Sequence, residues 1–175
     1  MNGYILVGGR SRRMGSDKAQ LKISGRTLCH LIIEKLQQAG CENVFLVGKK
    51  SIPISIPQIP ESWPDYHPLY GVYTALTHCC GDRCIITPCD IPFVSTTTYQ
   101  QLLSQSVTTV LSTPSKKQPL LGLFYTSKRE QALSYAQQHR SVMSFVENEA
   151  CIVVPSDELR NINHPNDLRG LHDYR

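Results

Sequence analysis

Nowhere in the sequence does an apolar run approach the roughly 20 residues of a membrane-spanning helix, so no membrane partner is expected. No charged segment ahead of a hydrophobic signal core opens the chain, and the first apolar run begins within three residues of Met1. A cytoplasmic location is the expectation. Charge of one sign is also in short supply, because the 175 residues carry a net charge of only +4. Much of the positive charge sits between Arg10 and Lys18 rather than along a stripe, which favours a small polyphosphate ligand over a nucleic acid. The seven cysteines are odd in number and include no C-x-x-C pair, so disulfides are not expected. A zinc site from His78, Cys79, Cys80 and Cys84 fits no usual ligand spacing, and reduced structural cysteine is the favoured reading. The 41% hydrophobic content is ordinary for a globular protein, and the length fits one domain over residues 1–175.

The chain is organised around Gly3 to Leu21. Tyr4-Ile5-Leu6-Val7 reads as a buried strand, and Gly8-Gly9 stops it abruptly. Arg10, Arg12, Arg13 and Lys18 follow, interspersed with Ser11, Gly15 and Ser16. Glycines let backbone N–H groups turn toward an anion while the cations neutralise it, so a strand running into such a loop suits a phosphate. Neither the G-K-[ST] ending of a P-loop nor the dinucleotide G-x-G-x-x-G is present. By composition alone, a plain turn with solvated arginines competes with this reading.

Further along, Thr27 is placed to cap a helix over Leu28 to Ala39, which Gly40 ends, and Asn43 to Gly48 reads as a second buried strand. Strand, helix, strand in this order predicts a parallel βαβ unit, in which ligands lie at the carboxyl ends of the strands. Ile52, Ile54 and Ile56, alternating with Pro53, Ser55 and Pro57, predict a short edge strand. Glu61 to Tyr66 is a loop, and His67 to Gly71 leads into a helix over roughly Val72 to Cys79. Arg83 to Pro88 is a third strand that delivers Asp90 to the glycine-loop edge. There Asp90 is a hard-oxygen ligand suited to Mg²⁺, or else a cap for the turn before Pro92. Tyr99 to Leu103 and Lys128 to Gln138 read as helices, Thr108 to Ser112 and Pro119 to Tyr125 as strands, and Arg140-Ser141-Val142-Met143 opens a helix through Glu147.

The run L-x-G-G-x-S-x-R-M-G-x-D-K-x-x-L, from Leu6 to Leu21, resembles the signature of nucleotidyltransferases that transfer NMP from an NTP. It is most similar to that of the molybdenum cofactor guanylyltransferase (MobA) family. Cys89-Asp90-Ile91-Pro92-Phe93-Val94 resembles that family's metal-binding turn, Pro68-Leu69-Tyr70-Gly71 its G-P-L-x-G segment, and Gln118-Pro119-Leu120 its acceptor-side strand. Asn161-Ile162-Asn163-His164-Pro165 resembles the family's N-x-N-T/S-P, where a strand end presents two asparagines before a final helix. The resemblance implies an α/β, Rossmann-like three-layer nucleotidyltransferase fold of the nucleotide-diphospho-sugar transferase type, with a mostly parallel mixed sheet. It implies transfer of GMP from GTP to molybdopterin with Mg²⁺ as cofactor. By the same resemblance Leu6, Val7, Gly8, Gly9, Arg13, Lys18, Glu61 and Asp90 bind the nucleotide, and Asp90 holds the metal. Lys18, Arg13 and Asp90 are then the catalytic set, and Arg140, Asn161 and Asn163 face the acceptor. Molybdoenzymes or cofactor-insertion proteins are the implied protein partners.

The chain departs from the family at Val7, where alanine is usual, and at His67, where the first glycine of G-P-L stands. Val47-Gly48-Lys49 offers no asparagine after the second strand, and Glu61 stands in place of the family's aspartate. Glu61 suits guanine because two carboxylate oxygens can accept from its N1–H and N2–H₂. Cytidylyltransferases serving the same pterin usually carry L-A-A-G, so Gly8-Gly9 with Asp17-Lys18 favours the guanylyl branch. Sugar-phosphate or cobinamide nucleotidyltransferases, and a homologue that binds without turnover, remain the other readings.

Overall fold

The computed structural model describes residues 1–7, 21–23, 25–48, 53–163 and 167. Strand β1 (Asn2–Leu6) comes first, then a hairpin of β2 (Lys22–Ile23) and β3 (Arg26–Thr27) that runs directly into helix α1 (Leu28–Ala39). Thr27 caps α1 by accepting the His30 N–H at 3.2 Å, and Gly40, at φ 116°, ends it. Leu28, Ile32, Ile33 and Leu36 recur at helical spacing and bury its inner face. Strand β4 (Asn43–Gly48) then returns parallel to β1, with Leu6 opposite Val47. The bounds of α1 and β4 agree with the sequence expectation because caps and periodicity are local signals, whereas β1 runs from Asn2 to Leu6 rather than from Tyr4 to Val7.

The chain continues through β5 (Gln58–Pro60), α2 (Pro68–His78), β6 (Arg83–Pro88), α3 (Thr96–Leu103), β7 (Thr109–Ser112) and β8 (Lys117–Tyr125). A 3₁₀ turn at Thr126–Lys128 precedes α4 (Arg129–Gln137), α5 (Val142–Phe145) and β9 (Ala150–Val153). Seven strands form one sheet in the order β5-β4-β1-β6-β8-β7-β9, in which β8 runs antiparallel to both neighbours and every other pairing is parallel.

Side chains alternate across that sheet. Ile5, Ile85, Leu121 and Leu123 join α1 and α3 on one face, and Tyr4, Leu6, Cys84, Ile86 and Phe124 join α2 and α4 on the other. Both faces are covered, so β1 and β6 read as continuous apolar runs. The result is the three-layer, mostly parallel mixed sheet that the motifs imply. No helix among the described residues is long and apolar enough to cross a membrane. All seven cysteines are free thiols, and among the described residues no three His, Cys, Asp or Glu side chains converge as a metal cage.

Several boundaries differ from expectation. The edge strand is Gln58–Pro60 rather than the alternation expected just before it, of which Ile52 lies outside the described residues. Pro53 and Pro57 have no N–H to donate, and Ile54 and Ile56 pack against the α1-side core instead. Helix α2 begins at Pro68, four residues before Val72, because His67 caps it and proline fits the first helical turn. Helix α5 stops at Phe145 rather than Glu147, and β9 and the β2–β3 hairpin carry no pattern that announces them.

Gly122 lies opposite Val110, where the β7–β8 register shifts. A Cβ there would overlap the Thr109 carbonyl oxygen and lie 2.8 Å from Val110 Cα. Gly122→Ala is therefore expected to destabilise the protein by about 1–3 kcal/mol, the range for overpacking a rigid site. Urea denaturation monitored by circular dichroism checks this through a lower midpoint at an unchanged m-value.

Candidate functional site

The carboxyl ends of β4, β1 and β6 are held level by backbone bonds that extend beyond the strands. Val7 N–H donates to the Val47 carbonyl at 2.9 Å, and Cys89 N–H to the Leu6 carbonyl at 3.1 Å. Beyond β4, Glu61 N–H donates to the Gly48 carbonyl at 3.1 Å. Glu61, Gly48, Val7 and Asp90 thus follow one another along a single edge, on four adjacent strand ends. Gly8, Gly9, Arg13 and Lys18 lie outside the described residues. Their flanks are defined: Val7 leaves β1 at this edge, and Leu21 returns beside Ile23, Leu28, Phe93 and Ile162. Leu28 N–H closes on the Leu21 carbonyl at 2.9 Å.

Asp90 sits half-buried in the turn after β6, and three distant groups hold that turn. Ile162 N–H donates to the Asp90 carbonyl at 2.8 Å, and fully buried Ile162 packs beside Phe93. Lys35 of α1 reaches the Pro92 carbonyl with its Nζ at 2.8 Å. Burial lowers the Lys35 pKa, and the nearby Glu158 charge acts in the opposite direction. Glu158 Oε2 accepts from Ser95 N–H at 2.9 Å and from the Thr98 hydroxyl at 2.7 Å, tying down the start of α3. Sequence reasoning missed Lys35, Glu158 and Ile162. Nothing in local spacing links them to a turn roughly 60 to 70 residues away.

Glu61 occupies the other flank of the edge. Its Oε1 lies so close to α2 that a Cβ on Gly71 would be 2.8 Å from it and 3.2 Å from Leu6 Cδ2. A Cβ on Gly71 would therefore push the carboxylate aside, and Glu61 rests against the side of α2 at its fourth residue. Leu6 and Val47 are buried in the same α2-side cluster, whereas Val7 packs partly buried toward the α1 side. Trp63, two residues beyond Glu61, stacks on Tyr70 with centroids 4.7 Å apart. A cavity of about 430 Å³ lies between this segment and α2, lined by Ile59, Trp63, Tyr73 and Thr77 among others, and Asp90 does not line it.

The expected acceptor residues are split between the two faces of the sheet. Asn161 and Asn163 are exposed on either side of Ile162, next to Asp90, and Asn163 N–H donates to Asp167 Oδ2 at 2.7 Å. The final helix expected after Asn163 falls largely on residues outside those described. Arg140 instead follows α4 on the α2 side, with its guanidinium 3.8 Å above the Tyr135 ring. Its carbonyl accepts from His67 Nε2 at 2.9 Å.

Comparison with known proteins places this architecture. Residues 3–157 match the MobA-like NTP transferase domain. A probable molybdenum cofactor guanylyltransferase of Rhodopirellula baltica is 30% identical, over 95% of this chain and 89% of its own length. One from Geobacillus sp. is 27% identical, over 98% of this chain and 97% of its own length. Molybdopterin-guanine dinucleotide biosynthesis protein A from Archaeoglobus fulgidus superposes with a TM-score of 0.78 over 99% of this chain and 97% of its own. At 20% identity that last likeness is one of fold.

Trp63 is the single tryptophan of the chain, so its emission reports on the Glu61 loop. Gly71→Ala should displace the carboxylate and shift that emission while the far-ultraviolet circular dichroism stays unchanged. Superimposable emission spectra would show that Gly71 does not set the position of Glu61.

Proposed function

The chain belongs to the MobA-like NTP transferase family, and on that premise we propose that it transfers GMP from GTP to molybdopterin, forming the guanine dinucleotide cofactor and releasing pyrophosphate. The observation that carries this reading is the convergence of Leu6–Val7, Glu61 and Asp90 on one sheet edge, flanking the glycine-rich segment between Val7 and Leu21. A nucleotide laid along that edge has its base at Glu61 and its phosphates between the basic segment and Asp90. Glu61 would accept from the guanine N1–H and N2–H₂ with its two oxygens. Arg13 and Lys18 would hold the triphosphate.

Asp90 fits a Mg²⁺ ion bound together with its substrate. It is one half-buried carboxylate at a strand end, and among the described residues no protein cage surrounds it. When bound, Mg²⁺ supplies charge neutralisation on the phosphate oxygens. An oxygen of the acceptor's phosphate attacks the α-phosphorus of GTP. The bond from that phosphorus to the α–β bridging oxygen breaks, and its electron pair leaves with pyrophosphate. The nucleophile is already ionised, so the chain needs to align it rather than deprotonate it. Asn161 and Asn163, beside Asp90, and Arg140 from the opposite face would orient that acceptor. Lys18 would stabilise the charge developing on the leaving bridging oxygen.

The deciding experiment is pyrophosphate release with Mg²⁺ and molybdopterin, supplying GTP, CTP, ATP and UTP separately. Turnover with GTP alone is expected; turnover with CTP instead would overturn the base assignment, and nucleotide binding without release would make the chain a binding protein. Lys18→Ala and Asp90→Ala should each lower kcat by roughly 10²–10³, the effect of removing one preorganised charge. Inosine triphosphate lacks the 2-amino group, so the wild-type protein should prefer GTP over it by roughly 10- to 100-fold in kcat/KM, as one hydrogen bond to a charged group allows. Glu61→Gln should erase most of that preference, and a variant that keeps it would remove Glu61 from base selection.

A further inference from the structure

The structure gives the His67 ring two bonds of opposite sense. Nδ1 accepts the Leu69 N–H at 3.2 Å, which caps α2. With Nδ1 an acceptor, Nε2 carries the proton and donates to the Arg140 carbonyl at 2.9 Å. One imidazole therefore joins the start of α2, the helix against whose side Glu61 rests, to the turn that carries Arg140.

That turn is itself unusual. Arg140 N–H bonds back to the Tyr135 carbonyl at 2.9 Å, and His139 N–H to the Ala136 carbonyl at 3.1 Å, the paired bonds of a Schellman ending to α4. The left-handed position of this motif normally belongs to glycine, yet His139 holds it at φ 52°. The His139 ring meets the His67 ring at 6.4 Å with 69° between planes, and the Arg140 guanidinium covers Tyr135. A costly backbone conformation, a ring contact and a hydrogen bond all meet at this one joint between α2 and α4.

We propose that His67 is a positioning residue that fixes the Arg140 turn at the acceptor side of the site, linking acceptor binding to the helix that supports the base-binding carboxylate. The proposal rests on the functional reading above, in which Arg140 contacts the acceptor.

Asparagine separates the two duties of His67. It is among the best helix caps, so His67→Asn keeps the α2 cap, but its shorter side chain does not span to the Arg140 carbonyl. Equilibrium binding of molybdopterin and of GTP is measured on wild type, His67→Asn, Arg140→Ala and the double variant, with thermal melting alongside. His67→Asn is expected to weaken molybdopterin binding roughly three- to tenfold, the scale of one neutral hydrogen bond, while GTP binding and the melting temperature stay at wild-type values. In the Arg140→Ala background the same substitution should have no further effect, because His67 acts through Arg140. Wild-type molybdopterin binding by His67→Asn, or effects that add in the double variant, would overturn this role and leave the guanylyltransferase reading standing. A wild-type protein that binds GTP but no molybdopterin would overturn both.

Discussion

The parallel alignment of β4, β1 and β6 is the constraint on which the rest of the molecule depends. Their carboxyl ends stop level with that of β5 because Val7, Cys89 and Glu61 continue the ladder one residue past β1, β6 and β5. A one-residue slip would reverse the faces of every side chain in β1 and carry Tyr4 and Leu6 out of the α2-side core. Burial on both faces makes such a slip costly. The same burial that stabilises the sheet therefore also sets Glu61, Val7 and Asp90 along one edge.

That edge is supported differently at its two ends. On the Asp90 side the turn is held by long-range polar contacts, from Lys35, Glu158 and the Ile162 backbone. Each comes from a separate part of the chain, so the backbone around Asp90 is held by the assembled fold. On the Glu61 side the support is steric. Gly71 admits the carboxylate against α2, and the Trp63–Tyr70 stack closes the segment behind it. The two carboxylates of this edge thus receive different kinds of rigidity.

The antiparallel β8 marks a change in how the chain is used. On one side of it in the sheet, the parallel strands β5, β4, β1 and β6 bring Glu61, Val7 and Asp90 to one edge; on the other, β7 and β9 widen the sheet, and α4 carries the Arg140 turn across to α2. Lys117 of β8 donates to the carbonyls of Val146, Glu147 and Glu149, fixing the chain between α5 and β9.

Taken alone, the sequence determined what neighbours in the chain decide. Thr27 and Gly40 bound α1, the apolar run Asn43 to Gly48 is β4, and Arg83 to Pro88 is β6, because caps and periodicity act over a few residues. The ordered motifs around Lys18 and Asp90 identified the family for the same reason, since phosphate and cation chemistry demands particular residues at close spacing. Tertiary structure alone decided what depends on partners far along the chain. The β9 strand, with Ala150 and Cys151 exposed, exists through its ladder to β7, and Ile162 becomes an anchor by bonding to Asp90. His67 reads in sequence as a departure from a glycine, and only folding brings the Arg140 carbonyl within reach of its ring. Hydrogen bonds across such separations leave no period in the sequence, because their partners are chosen by the packing of helices on a sheet.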